Sequence, residues 1–255
     1  DEPADRADVA WDALSHRTLR DHLVEDLGHP EAVAQFFGAF TVDALAGDER
    51  QVNAFTALSF LSGETRGLFA LPGGGGSSAR LLARRVAGAG ARLTAEASAV
   101  SVREERGGYT VIYAQGTRFF RMRPRGVVLA GQTHLQRWLC PDLLDAPRLR
   151  ALDTILHAPV VVANVLLRSA RRLVELGLGY DTWYFGGEHF ADFVISDWTS
   201  GARHDPDRPV VLTFYGAGRA PFDREGQGQE RVRLLGTPLS VYEDSLRRDL
   251  ERVLG

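Results

Sequence analysis

The 255-residue sequence predicts a mixed α/β protein of α+β character. Three observations predict it. Residues 1–62 carry apolar side chains at helical spacing, residues 100–130 carry strand patterns behind a glycine loop, and the chain closes on an amphipathic helix.

Ser15 is placed to cap a first helix through Leu19, Leu23 and Leu27, which Gly28, His29 and Pro30 break. A second helix carries Ala32, Phe36, Phe37 and Phe40. A third runs from about Val52 to Leu61 with Phe55, Leu58 and Leu61 on one face, so a Phe-rich helical interior is expected. Gly73 to Gly76 form a loop before a helix bearing Leu81, Leu82 and Val86, with Ser77 or Ser78 as its cap. Val100 and Val102 lie in one strand and Tyr109 to Tyr113 in another, with Gly107–Gly108 as the hairpin turn. The run Val127 to Ala130, bounded by Gly131, has the composition of a buried strand in a parallel sheet. A short helix from Pro147 to about Leu156 follows. Pro159 to Leu167 and Val210 to Tyr215 read as strands, and residues 180–193 are rich in aromatics. The last helix, Pro238 to Leu254, turns Leu239, Tyr242, Leu246, Leu250, Val253 and Leu254 to one side.

Composition removes several classes. The net charge of -3 offers no electrostatic footprint for nucleic acid or an anionic membrane. Every one of the 30 cationic residues is Arg, so the chain carries neither a Schiff-base lysine nor a Walker-type phosphate lysine. Cys140 is the single cysteine and forms no internal disulfide. No apolar run approaches the roughly 18 residues that span a bilayer. A cytoplasmic location is the expectation, any export signal lying upstream of Asp1.

Local motifs alone leave the chemistry open. The four glycines have no GxGxxG spacing and read more simply as a crossover between subdomains. His189, Asp192, His204 and Asp205 match no standard zinc spacing, so no metal is expected. Cys140, before Pro141, has no basic cluster to activate it. Tyr180, Trp183, Tyr184, Phe185, Phe190, Phe193 and Trp198 read either as sheet core or as an apolar, cation-attracting wall.

Four stretches, in order, resemble the flavin amine oxidase superfamily and its bacterial-type, spermidine dehydrogenase-like branch. They are Leu71-Pro72-Gly73-Gly74-Gly75-Gly76 with the following helix; Arg92 to Arg103; Gly126 to Gly131; and Cys140-Pro141-Asp142 through Arg168. The resemblance implies FAD as cofactor. It also implies a partial FAD/NAD(P)-binding, Rossmann-like flavin domain joined to a helix-plus-sheet substrate domain. Residues 1–70 would be the helical part of the substrate domain, 71–140 part of the FAD-binding domain, and 141–255 the substrate-domain sheet and C-terminal helix. The family's opening GxGxxG and closing Gly-Asp segment have no counterpart in these residues. The chain is therefore expected to be an internal piece of a protein about twice its length, weak in FAD binding by itself.

By the same resemblance, Ala99 and Val100 lie near the adenine, and Ala130 and Gly131 near the middle of the cofactor. The implied reaction is hydride transfer from the carbon beside an amine nitrogen to the flavin, followed by hydrolysis of the imine in water. The implied substrate is a small molecule, a polyamine or another amine. Trp183, Tyr184 and Phe185, beside Gly186–Gly187, would line its pocket. Related branches oxidise C–C bonds, as phytoene desaturases and protoporphyrinogen oxidases do. A non-catalytic NAD(P)/FAD-fold binding module is the alternative outside enzymology.

Overall fold

The computed structural model describes residues 11–64, 71–178, 181–184, 187–195, 205–218 and 220–255. The chain divides into two compact units, Asp1–Ser78 with His157–Gly255, and Ala79–Leu156.

In the first unit, Thr18 caps helix α1 (Leu19–Asp21) by accepting the Asp21 N–H, and α1 continues as a π-helical turn, His22–Asp26. The cap lies beyond the expected Ser15, whose hydroxyl donates to the Asp12 carbonyl instead. A tertiary contact decides this: Thr18 is extended and bridges Asn53, so the helix starts only after it. Helices α2 (Glu31–Leu45) and α3 (Ala54–Glu64) follow. Their core is Leu19, Leu23, Ala34 and Ala57, with Phe37 and Leu58 packed against it. The expected Phe-rich interior is thereby corrected. Phe40 is buried, but Phe36, Phe55 and Phe60 are exposed, because alanines at the contacts let the helices approach and leave the larger rings at the margins.

The second unit holds most of α4 (Gly76–Gly88), then β1 (Ala97–Glu105), β2 (Gly108–Gln115) and β3 (Arg118–Met122) in an antiparallel meander. The β1–β2 turn falls on Arg106–Gly107, one residue earlier than expected, and Gly108 already pairs with Glu105. Helices α5 (Gln136–Leu139) and α6 (Ala146–Thr154) complete the unit, α6 being capped by Asp145. One expectation fails here. Val127 to Ala130 form no strand, and Val128 is 91% exposed. Helix α4 buries none of its residues, Leu81, Leu82 and Val86 included. Both sequences are apolar enough for burial. A strand exists only through a neighbour's hydrogen bonds, and a helix face is buried only against a second surface. Among the described residues this unit supplies neither.

The first unit resumes with β4 (Val160–Leu167), α7 (Arg171–Glu175), β5 (Asp181–Trp183), β6 (Asp192–Ile195) and β7 (Val210–Ala217). The sheet order is β4-β7-β6-β5, every pairing antiparallel. Alternation gives it a core face: Val161, Ala163, Val165 and Leu167 of β4 join Phe193, Ile195, Leu212 and Phe214. The opposite face of β4 leaves Val160, Val162 and Leu166 exposed. Helix α8 (Arg224–Gly236) has two early glycines and no apolar stripe, so its sequence gave no signal; Asp223 caps it through the Gly226 N–H. Helix α9 (Leu239–Leu254) places Tyr242 and Leu246 in the core beside Leu250, Val253 and Leu254. Leu239, expected on that face, is 72% exposed, because it sits at the first turn beyond the sheet contact.

Candidate functional site

Each unit carries a cavity of the size that holds a small molecule. In the second unit, Ala99, Val100, Ala130 and Gly131 all line a single hollow of about 500 Å³. Trp138, Leu135 and Leu139 close its other side. The local cause is a β-bulge. Ala99 pairs with Tyr113 and Ser101 with Ile112, so Val100 is the extra residue left out of the ladder. Such a residue bends its strand and re-aims its side chain, here toward the extended segment 128–132. The lining is apolar, with small residues that let a flat ring approach backbone, and an added Cβ at Gly131 would meet open space. These residues fit the apolar ring portion of a dinucleotide. The lining includes no charged side chain, so it does not by itself neutralise a pyrophosphate.

Cys140 follows Leu139 of this lining in sequence. It is buried, its Sγ donates to the Gln136 carbonyl at 3.4 Å, and burial pushes the thiol above its ordinary range. A protonated, buried thiol is a poor nucleophile.

In the first unit a second cavity, about 490 Å³, lies between α2, the 48–51 turn and the β5–β6 connection. Tyr184 and Phe190 form part of its wall. Tyr184 is fixed three ways. Its N–H donates to Ala191, its ring packs against Phe193 and Phe214, and its hydroxyl donates to Asp249 Oδ2 at 3.0 Å. Gly187 allows the chain to turn there: a Cβ would sit 2.1 Å from the Phe190 carbonyl oxygen, a backbone atom that cannot yield. Of the other two expected wall residues, Trp183 ends β5 in register with Asp192, and Phe185 lies outside the described residues, as does Gly186. The two cavities belong to different units, so the structure brings the four cofactor candidates together and places Tyr184 in a separate hollow.

Three groups were missed by sequence reading. Glu49 lines the first unit's cavity, Asp249 receives the Tyr184 hydroxyl, and Glu230 is buried in a bidentate pair with Arg233. Arg233 holds the Glu230 carboxyl below its usual range. Each sits at a polar position of a loop or helix, where neither periodicity nor motif marks it. Among the described residues, no group of three or more His, Cys, Asp or Glu is arranged to hold a metal; His204 is outside them.

Asp249 makes a pH prediction. The residue is 2% exposed, and burial pushes its carboxyl above the ordinary range, against the opposing hydrogen bond from Tyr184 and the nearby Arg252 and Arg248. The folded pKa exceeds the unfolded one. This contribution to stability is therefore complete below the unfolded value of about 4 and is lost as pH rises through the folded value. Asp249→Asn keeps an acceptor for Tyr184 and removes the titration. In urea unfolding, the variant is expected to gain on the native protein as pH rises above about 4. Parallel pH profiles would remove Asp249 as the source.

No family model matches the sequence, and the search of curated proteins finds no match. Solved structures do share its fold. Superposed on a putrescine oxidase redesigned in its cofactor binding, the chain gives a TM-score of 0.66 at 14% identity, covering 96% of this chain and 51% of that one. Against an oxidoreductase from Methanosarcina mazei the TM-score is 0.68 at 15% identity, covering 100% and 58%. The chain thus spans between half and three-fifths of the length of these structures. Their likeness to it is one of fold: a mixed α/β chain folded as the corresponding part of two larger oxidoreductases.

Proposed function

We propose that this chain is part of an FAD-dependent oxidoreductase that oxidises an amine. The observation that carries the reading is the cavity at the β1 bulge. Ala99, Val100, Ala130 and Gly131 come from two stretches some 30 positions apart that resemble the flavin family, and they line one apolar hollow. Fold likeness to a putrescine oxidase and a second oxidoreductase supports the same class.

In this reading the bulge backbone and the 128–132 segment hold the apolar part of the cofactor, and Trp138 shields it from water. FAD, when bound, supplies the hydride acceptor for a C–H bond beside an amine nitrogen. The chain's part is to position the amine and exclude water, the task of a protein around a flavin. Trp183, Tyr184 and Phe185 are the proposed substrate wall. Tyr184 serves it as a rigid ring, since its hydroxyl is engaged by Asp249. With no Lys in the chain, any lysine-bound water near the flavin has to come from outside these residues.

The test is anaerobic reduction of the full-length protein purified with its flavin. Putrescine or spermidine is expected to bleach the yellow form, with the imine product released. A yellow protein that no amine bleaches would reject amine oxidation and leave the C–C desaturase reading. A full-length protein that holds no flavin would reject both.

A further inference from the structure

We infer that a further hollow of the first unit, between the β5–β6 connection, the end of β7 and helix α8, binds a small neutral molecule that carries a hydroxyl, a one-ring alcohol or phenol. His189 supplies its polar contact, and the site stands independently of the proposed function.

Size sets the first limit. The hollow measures about 270 Å³, just under the roughly 300–1,000 Å³ of drug-sized sites, so it suits a molecule of one ring. Val161, Ala217, Ala220 and Leu234 give it apolar lining, and Glu188, His189, Glu230 and Arg233 give it polar lining. Two glycines draw these groups together. A Cβ at Gly216 would stand 1.8 Å from the His189 carbonyl oxygen, and one at Gly218 would stand 2.1 Å from Glu230 Oε1. The end of β7 therefore seats both the connection that carries His189 and the carboxylate of α8.

His189 is the polar group left over. Its side chain is 7% exposed, and its ring stands edge-on to Tyr242 at 5.1 Å. Nε2 is buried and makes no hydrogen bond. Glu188 Oε1 is 3.7 Å away, an ion pair only for a protonated ring and beyond hydrogen-bonding distance for a neutral one. A buried ring nitrogen in that condition is costly. The acids are already matched. Glu230 accepts Arg233 Nε through both oxygens, at 3.0 and 2.9 Å, and Glu188 Oε2 accepts from Arg248 Nη2 at 2.8 Å.

These pairs select the ligand. Each carboxylate has its own Arg, so the formal charges cancel and an ion of either sign gains no net attraction. A purely apolar molecule would leave Nε2 without a partner. A neutral imidazole nitrogen is a donor in one tautomer and an acceptor in the other, and a hydroxyl answers both. Where Nε2–H donates to it, the hydroxyl keeps its own proton for Glu188 Oε1 across the 3.7 Å gap. Water has the same capacity. A ring also buries apolar surface against Val161 and Leu234, which water does not.

The experiment is isothermal titration of the 255-residue chain with phenol, and with fluorobenzene as a like ring without the hydroxyl. Phenol is expected to bind at least about tenfold more tightly. His189→Phe keeps a ring beside Tyr242, removes Nε2 and should abolish that preference. Equal affinity for the two probes in the native chain would overturn the site. So would binding of neither, which leaves water as the occupant. A His189→Phe chain, folded by circular dichroism, that keeps the preference overturns it as well. Should that variant fail to fold, Glu188→Ala decides, at a side chain 62% exposed whose loss leaves the fold in place. Phenol is then expected to weaken about threefold with fluorobenzene unchanged, and undiminished phenol binding overturns the site. None of these readouts involves flavin or an amine, so their failure leaves the proposed function where it stood.

Discussion

Phe214→Ala is expected to cost about 3–5 kcal/mol of folding stability, enough to leave much of the first unit unfolded. Phe214 is fully buried on β7, its ring 5.2 Å from Phe193 and 5.9 Å from Phe190 by centroid. It lies at the meeting of the sheet's core face with Tyr184. Truncation removes the ring's transfer energy and leaves a hole that three aromatic neighbours, rigid and themselves pinned, fill poorly. Val162→Thr is the control. It lies on the other face of the same sheet at 50% exposure, and its cost should stay within about 0.5 kcal/mol. Urea unfolding of both variants decides the matter. Comparable costs would mean that the exposed face of β4 is as buried in the working protein as the core face.

Ala130→Trp should lower FAD affinity in the full-length protein at least about tenfold, or about 1.4 kcal/mol. The side chain would project into the hollow lined by Ala99, Val100 and Gly131, and an indole takes a large part of its volume. Position 130 is exposed, so the unfolding midpoint of the flavin-free protein should barely move. Fluorescence titration with FAD reads the first effect and thermal unfolding the second. Undiminished FAD affinity would separate this hollow from the cofactor. Lost affinity together with a large fall in stability would make the effect structural and deprive the cavity of its assignment.

Much of the secondary structure was legible because it follows from local spacing. The α2 and α9 helices and the β1–β2 hairpin carry apolar residues at the period of the element they form, and β4 and β7 are near-continuous apolar runs of strand length. Their ends were less so. Thr18 rather than Ser15 starts α1 because Asn53, from a distant turn, holds Thr18 extended. Helix α8 has glycines and charges where a stripe would be expected, and its cap at Asp223 is its one local mark.

The sites divide in the same way. Ala99, Val100, Ala130 and Gly131 were singled out because their stretches resemble a known family in order, and small residues at such places permit close approach. Their meeting in one hollow is tertiary, produced by a bulge at Val100 that no spacing rule announces. Glu49 and Asp249 were invisible for a physical reason. A carboxylate in a polar stretch looks solvated until the fold packs Gly38 against one and Tyr184 against the other. By itself the sequence determined the class of fold, the elements marked by apolar period and the lack of lysine chemistry, because these depend on period and composition. Only the tertiary structure decided which apolar runs are buried and which acids are desolvated. Burial belongs to the neighbour a residue meets: Leu212 meets Phe193 and the rest of the core, while Val128, equally apolar, meets nothing in its unit that covers it.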